Sequence, residues 1–131
     1  MKILAGEYRG RSLLPPPRGA ETRPITGVAR KSLFGMLHGC VTDAQVLDLF
    51  CGTGSMGLEA LSRGAKFCTF IDGSRGVIEI LDRNIEKAGF LAESKSVCAN
   101  ILKVGAALTP EYGGYDLVFV DPPYAMSGNC R

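Results

Sequence analysis

Three glycines and two aspartates in this sequence have the types and spacing to hold a nucleotide-like ligand. Gly52, Gly54 and Gly57 follow the apolar run 46–50 in the pattern G-x-G-x-x-G. Glycines allow a turn to take positive φ and a ligand to approach the backbone, and a helix after the turn offers unpaired N–H groups. Taken alone, the pattern fits a cofactor site and a turn that merely packs about equally well.

The aspartates favour the ligand interpretation. Asp48 lies inside the apolar run 46–50, where a buried carboxylate needs a cationic or hydrogen-bonding partner. Asp72 ends a second apolar run, 67–71, and follows Gly52 by 20 residues. An acid at that distance from the glycine turn can accept hydrogen bonds from the hydroxyls of a ribose.

A third apolar run, 117–120, leads into Asp121, Pro122, Pro123 and Tyr124. The prolines stiffen the backbone and remove N–H donors, so that the Asp121 carboxylate and the Pro122 carbonyl form a cluster of acceptors. Such a cluster suits an exocyclic amino group on a planar base, which can stack on the tyrosine ring. The segment therefore predicts a site that acts on an amine rather than a plain proline turn.

Alternating strands and helices must position these residues. Apolar periodicity predicts strands over 46–50, 67–72, 95–98 and 115–120, and helices over 55–63, 75–88 and 101–108. This alternation predicts the α/β class, with a doubly wound, mostly parallel Rossmann-like sheet of order 3-2-1-4. In that order strands one and four are neighbours, so the glycine turn and residues 121–124 should face one crevice.

Residues 1–40 form a basic extension before the α/β domain, 41–131. A β-hairpin is predicted over 2–14, followed by extended prolines and then a helix that Thr26 could cap. Arg30 and Lys31 are expected on or beside the polar side of that helix. The extension carries seven basic and two acidic side chains, although the whole chain has a net charge of only +2. This asymmetry indicates a polyanionic partner or a charged, solvated surface.

Composition restricts the class of protein. The chain has 131 residues, of which 46% are hydrophobic, and no apolar run approaches the roughly 18 residues that span a bilayer. The N-terminus does not have the pattern of a signal peptide, so the sequence predicts a soluble, cytoplasmic protein. The five cysteines form no C-x-x-C pair and no metal-ligand cluster, and Cys51, Cys68 and Cys98 are expected to be small core residues.

Together, these motifs resemble one family. GEYRGRSLLPPP at 6–17, TRP at 22–24, RKSLF at 30–34, the stretch 46–65 and the D-P-P-Y segment at 121–124 resemble the bacterial 16S ribosomal RNA guanine-N2 methyltransferases of the RsmD type. The resemblance implies S-adenosylmethionine as cofactor and transfer of its methyl group to the N2 amine of a guanine. It also implies that the partner is ribosomal RNA or the assembling small ribosomal subunit.

The resemblance assigns roles to individual residues. The cofactor-binding residues that it implies are Asp48, Phe50, Gly52, Gly54, Asp72, Asn100, Thr22 and Arg23. The catalytic segment that it implies is Asp121, Pro122, Pro123 and Tyr124. The basic extension adds the candidate RNA-binding residues Arg9, Arg11, Arg18 and Arg23.

The sequence departs from the family in two places. Asn100 stands where the family has an acid that accepts a hydrogen bond from the adenine amine; an amide oxygen can still accept, without charge assistance. The family also continues past the D-P-P-Y segment, whereas this sequence stops at Arg131. We therefore expect a C-terminally incomplete domain that is monomeric when complete. Strand four, which is almost wholly apolar, should be covered on both faces or else form an edge that associates.

Two other functions remain open from the residues. A non-catalytic RNA-binding module would keep the basic extension on a vestigial cofactor fold. An NAD-dependent oxidoreductase would use the same glycine pattern, but the sequence offers no convincing acid or base for its substrate. Binding of S-adenosylmethionine or of NAD would separate the enzymes, and methyl transfer to RNA would exclude the binding module.

Overall fold

A computed structural model describes residues 2–4, 6, 10, 12–15, 27–100 and 114–120. The helices are α1 (Gly27–Met36), α2 (Ser55–Ser62) and α3 (Arg75–Ala88), and a 3-10 turn covers Leu91–Glu93; the strands are β1 (Gln45–Leu49), β2 (Phe67–Asp72), β3 (Ser94–Cys98) and β4 (Leu117–Val120). The four strands form one parallel sheet in the order β3-β2-β1-β4. The predicted fold class and strand order are confirmed, while the helix predicted over 101–108 lies outside the described residues.

Local signals account for the bounds of α3. The Ser74 side chain accepts a hydrogen bond from Val77 N, and Gly89 ends the helix in the left-handed region at φ 85°. The apolar side of α3 is buried against the sheet. None of the helices within the described ranges combines the length and apolarity needed to cross a membrane.

The neighbouring strands β1 and β4 differ in burial. Every residue of β1 but its last is buried, as expected for a parallel strand covered on both faces. On β4, Phe119 is buried and packs on Phe34 with ring centroids 5.6 Å apart, but Val118 and Val120 are 46% and 58% exposed. Within the described residues, strand four is packed on its Phe119 side and exposed on the other, because alternate side chains point to opposite faces; this is the exposed alternative of the two expected for the strand.

Strand four also begins later than predicted. The Asp116 carboxylate accepts a hydrogen bond from Gln45 N at 2.9 Å, and Asp116 N donates to Gln45 O at 2.8 Å. A side chain thus takes the place of a backbone acceptor at this end of the β1–β4 pair. The regular ladder consequently starts at Leu117.

The N-terminal residues share the core of the α/β unit. Lys2 and Ser12 form an antiparallel bridge, and Gly10 N donates to Ile3 O at 2.8 Å. We call residues 2–4 and 12–14 the N-terminal bridge. Ile3 and Leu13 are 1% and 5% exposed and belong to the same apolar cluster as the sheet.

Arg30 corrects the prediction for α1. It was expected on or beside the polar side of the helix, as Lys31 is, yet its side chain is only 1% exposed. The reason lies on α2, where the fully buried Glu59 places a carboxylate oxygen 3.9 Å from the Arg30 guanidinium. Helical periodicity within α1 cannot reveal a counter-charge on another helix.

The third glycine of the pattern lets α2 lie close to the sheet. A Cβ atom added at Gly57 would stand 2.3 Å from the Phe70 ring and 2.7 Å from Cys68 Sγ. Phe70 and Cys68 are both fully buried, so neither can move aside without disturbing the core. The helix and β2 therefore meet at a distance that only glycine allows.

Gly57→Ala is expected to lower the free energy of unfolding by about 3 kcal/mol, at the upper end of ordinary overpacking, because the added methyl group overlaps core atoms. Gly35→Ala is the matched control, since a Cβ there meets nothing within 4 Å of the described atoms. Urea denaturation of both variants measures the difference. Equal stability of the two variants would show that α2 can shift at no cost.

Candidate functional site

The carboxyl ends of three strands bring the candidate cofactor residues to one edge of the sheet. β1 leads into Phe50 and the glycine turn, β2 ends at Asp72, and Asn100 follows the end of β3. These strands are neighbours in the sheet, so their carboxyl ends lie side by side. Ligands of open parallel sheets bind at this edge.

The turn after β1 takes an unusual backbone conformation. Phe50 has φ 54°, a left-handed value that bulky residues rarely adopt, and Gly52 and Gly54 have φ 56° and 93°. Cys51 N donates to Ile71 O at 3.0 Å, which fixes the start of the turn to β2. Strained residues of this kind concentrate at ligand sites, where the surrounding structure holds them in place.

The glycines of the pattern have different surroundings. Gly54 is packed, since a Cβ added there would lie 2.5 Å from a methyl carbon of Leu81. A Cβ added at Gly52 meets no described atom within 4 Å. Gly52 is therefore the place where a ligand can come close to the backbone, while Gly54 and Gly57 fit the turn and α2 to the protein.

The buried Asp48 side chain links β1 to the start of α2. This side chain is 3% exposed, and its Oδ2 accepts a hydrogen bond from Gly57 N, in the first turn of α2, at 3.0 Å. This carboxylate thus satisfies one of the N–H groups that the start of a helix leaves unpaired. The hydrogen-bonding partner that the sequence required for a buried acid is present, and it ties β1 to α2.

Asp72 and the glycine turn are in direct contact. Asp72 Oδ2 accepts a hydrogen bond from Gly52 N at 3.0 Å, and Oδ1 accepts one from Ser74 N at 3.0 Å. The two residues that the spacing singled out therefore meet in space. Each carboxylate oxygen has further acceptor capacity, because an ionised carboxylate offers about four lone-pair directions in all.

The cysteine in the turn is not an activated thiol. Burial raises the pKa of Cys51 well above its ordinary value, and the neighbouring Asp48 and Asp72 carboxylates raise it further. Burial also raises the pKa of the fully buried Cys68 thiol, and Asp48 again adds to the rise. Both side chains stay protonated near neutral pH and act as small core groups, as predicted.

The remaining candidates divide into two groups. Asn100 is exposed at the carboxyl edge of the sheet. The other sequence-predicted residues lie outside the described residues: Arg9, Arg11, Arg18, Thr22, Arg23, Asp121, Pro122, Pro123 and Tyr124. Asp121 follows Val120 directly in the sequence, and Val120 pairs with Leu49 at the end of β1, next to the turn.

Two buried polar residues at this site were not identified from the sequence. Asn84 on α3 is fully buried, and its Nδ2 donates to the carbonyl of Thr53 in the glycine turn at 3.0 Å. Glu59 on α2 is also fully buried and accepts hydrogen bonds from Leu4 N and Arg63 Nε, both at 2.7 Å. The sequence did contain a signal for the burial of Asn84, because this residue interrupts the apolar stripe of α3 between Leu81 and Ala88.

Comparison with known sequences gives consistent matches. Residues 1–130 match the model of the family described as Conserved hypothetical protein 95. The chain is 39% identical over 126 residues to Ribosomal RNA small subunit methyltransferase D of Escherichia coli K12, covering 95% of this chain and 60% of that protein. It is 34% identical over 125 residues to the Haemophilus influenzae protein of the same name, covering 95% of this chain and 64% of the relative. The chain thus spans about three fifths of the length of these relatives.

Two solved structures described as methyltransferases superimpose on this chain. The Escherichia coli protein yhhF superimposes with a TM-score of 0.79 at 37% identity, over 94% of this chain and 64% of that one. An O-methyltransferase from Bacillus cereus in complex with SAH superimposes with a TM-score of 0.62 at 15% identity, over 75% of this chain and 46% of that one. The second likeness shows a shared fold alone.

Proposed function

We propose that the chain is part of an S-adenosylmethionine-dependent methyltransferase that acts on the N2 amine of a guanine in small-subunit ribosomal RNA. The chain belongs to the family described as Conserved hypothetical protein 95. The Escherichia coli and Haemophilus influenzae relatives are named ribosomal RNA small subunit methyltransferases, which supports the reaction and the RNA substrate. Guanine N2 as the target atom rests on the resemblance of the D-P-P-Y segment and the N-terminal motifs.

The observation that carries the proposal is the contact between the glycine turn and Asp72. No atom of the described residues lies within 4 Å of a Cβ added at Gly52, and the Gly52 N–H donates to Asp72 Oδ2 at 3.0 Å. A ligand that lies over Gly52 therefore comes within reach of the acceptor capacity left on Asp72. A nucleoside cofactor with ribose hydroxyls fits that pairing.

S-adenosylmethionine, when bound, supplies a methyl group on a positively charged sulfur. The glycine turn would hold the amino-acid part of this cofactor, and Asp72 would accept hydrogen bonds from the ribose. Asn100, two residues beyond β3, would accept from the adenine amine through its amide oxygen. Thr22 and Arg23 are proposed as further contacts on the basis of the family resemblance.

Asp121, Pro122, Pro123 and Tyr124 would position the guanine. The Asp121 carboxylate and the Pro122 carbonyl accept the two N–H bonds of the target amine, and Tyr124 stacks on the base. This arrangement turns the nitrogen lone pair toward the methyl carbon. The amine so oriented could accept the methyl group that the cofactor would supply, and Asp121 or water would take the proton that the amine releases. Much of the rate then comes from orientation.

Ribosomal RNA, free or in the assembling small subunit, is the proposed partner, and the cytoplasm is the proposed location. Arg9, Arg11, Arg18 and Arg23 would contact phosphates. We propose that the protein is a monomer when complete, and that residues 1–131 comprise a basic extension, 1–40, and an S-adenosylmethionine-binding α/β domain, 41–131.

Methylation of RNA tests the proposal directly. Small-subunit ribosomal RNA from cells with and without the gene is digested, and the nucleosides are mapped by mass. Loss of one N2-methylguanosine, restored by the gene, is the expected result. An unchanged pattern would refute the substrate, and incubation with labelled S-adenosylmethionine or NAD separates methyl transfer from oxidoreduction.

Asp72→Ala is expected to weaken binding of SAH (S-adenosylhomocysteine) by about 1–3 kcal/mol, because hydrogen bonds to the ribose and to Gly52 N are lost. Asp82→Ala is the matched control, since Asp82 is an exposed carboxylate on α3 that bonds Ser96 Oγ instead. Titration calorimetry measures both affinities. If Asp72→Ala binds as tightly as the control, Asp72 is not part of the site.

Replacing Arg9, Arg11 and Arg18 together by Ala is expected to weaken RNA binding and to flatten its dependence on salt. Removing one arginine–phosphate ion pair lowers the slope of log K against log[salt] by about one. The control replaces Arg75, Arg83 and Lys87, three exposed basic residues of α3. The same slope in both triple variants would mean that the extension is only a solvated surface.

A further inference from the structure

Two buried side chains connect the N-terminal bridge to the glycine turn and the start of α2. Arg30 Nη1 donates to the carbonyl of Ser55 at 3.4 Å, and its Nη2 donates to the carbonyl of Lys2. Asn84 Nδ2 donates to the carbonyl of Thr53 at 3.0 Å and to the carbonyl of Leu14 at 3.2 Å. Each side chain therefore binds one carbonyl near the turn and one carbonyl of the bridge.

The Asn84 connection is the more direct of the two. Its Oδ1 also accepts a hydrogen bond from Leu14 N at 2.6 Å, so the side-chain amide pairs with the Leu14 backbone as a neighbouring strand would. Asn84 is fully buried, so these groups have no water to replace a missing partner. Movement of Leu14 therefore disturbs the same amide that holds Thr53.

Thr53 lies between the two glycines that shape the turn. Its carbonyl belongs to the peptide group whose N–H is that of Gly54, so a hydrogen bond to this oxygen fixes the orientation of the whole group. The N–H of the same peptide group donates to Cys51 O at 3.0 Å within the turn, so the group is held on both sides. Asn84 supplies the constraint from α3.

We propose that Asn84 and Arg30 are positioning residues that couple the N-terminal bridge to the cofactor turn. This inference rests on the proposed function, because it takes the turn to bind S-adenosylmethionine. Order in the bridge stabilises the turn in its binding conformation, and an occupied turn stabilises the bridge. By thermodynamic linkage, the two effects are equal in size.

The position of Leu14 gives the coupling a role in the reaction. The sequence continues from Leu14 through three prolines to Arg18, Thr22 and Arg23, the residues proposed to contact RNA and cofactor. Asn84 thus fixes the point from which that segment departs. Binding of the cofactor would strengthen the anchorage of the RNA-binding segment before RNA arrives.

Hydrogen exchange of the unmodified protein is the first test. On saturation with SAH, exchange of the Leu14 amide should slow by about fivefold more than exchange of the Phe90 amide. Phe90 N donates to Ile85 O just beyond the end of α3, so its amide reports the change in local stability at the end of the same helix that carries Asn84. Equal slowing at the two amides overturns the coupling while leaving the proposed function intact.

Variants of adjacent α3 residues are the second test. Asn84→Ala should weaken SAH binding by about tenfold, whereas Ile85→Ala should leave the affinity within about twofold of the original. Ile85 is also buried, at 3% exposure, so its variant controls for lost stability. Equal affinities in the two variants overturn the role of Asn84. If the unmodified protein itself binds no SAH, the proposed function fails, and the coupling fails with it.

Discussion

Asp121→Ala is expected to lower the rate of methyl transfer by about 10³-fold or more and to leave SAH affinity within about twofold of the original. The carboxylate is proposed to accept hydrogen bonds from the target amine and not from the cofactor. Without that carboxylate the amine loses its orientation, and only water is left to take its proton. Single-turnover methylation of ribosomal RNA and calorimetric titration with SAH measure the two quantities separately.

Asp116→Ala is the matched control for this variant. Asp116 lies just before β4, where it bonds Gln45 N, whereas Asp121 directly follows the strand. Its loss should cost stability without selectively reducing turnover. Asp121→Asn, which keeps one acceptor oxygen, should retain part of the rate. Full turnover in Asp121→Ala would remove this residue from the mechanism, and a parallel loss of SAH affinity would move it to the cofactor site.

Glu59→Ala is expected to destabilise the fold by about 3–5 kcal/mol, because it leaves a buried charge without its partner. Glu59 lies 3.9 Å from the Arg30 guanidinium and 2.7 Å from Arg63 Nε, and it also accepts from Leu4 N. Burial lowers the pKa of Arg30, and the Glu59 carboxylate opposes that change. Urea denaturation followed by circular dichroism measures the loss.

A second variant separates the charge from the packing. Replacing Glu59 by Leu and Arg30 by Met in one chain removes both charges and keeps similar volume, so much of the lost stability should return. The control is Glu79→Ala, which removes an exposed carboxylate from α3 and should change stability by about 0.5 kcal/mol or less. If the double variant is no more stable than Glu59→Ala, the hydrogen bonds to the N-terminal bridge, and not the unpaired charge, explain the cost.

The sheet, and the edge of it that carries the candidate site, could be predicted from the sequence because each depends on local signals. Runs of apolar residues set the strands, and the stops at Gly89 and near Gly64 set the helices. The spacing of Gly52 and Asp72 predicted a shared site, and their hydrogen bond of 3.0 Å shows that they are in contact. These features can be predicted because each depends on residues within one helix or strand, or on residues directly after the end of one strand.

The partners of the buried Arg30 and Asn84 side chains were decided by tertiary structure. The apolar stripe of α1 predicted Arg30 on or beside the polar side of the helix, and only the approach of α2 supplies Glu59 as its partner. Asn84 and Leu14 are 70 residues apart, so their pairing has no trace in either local sequence. A buried polar side chain is stable only where partners from other elements converge on it, and that convergence exists only in the folded chain.

Strand β4 shows the same division between what the sequence predicted and what the tertiary structure decided. Its composition correctly predicted a strand beside β1, since an apolar run of this length fits a parallel sheet. Which face is covered was not encoded in that run, because valine and phenylalanine suit either face. Packing of Phe119 on Phe34 decided it, leaving Val118 and Val120 about half exposed. The sequence by itself therefore determined the class of fold and the edge of the sheet that carries the candidate site, whereas the fold determined which polar side chains connect that edge to the N-terminal bridge.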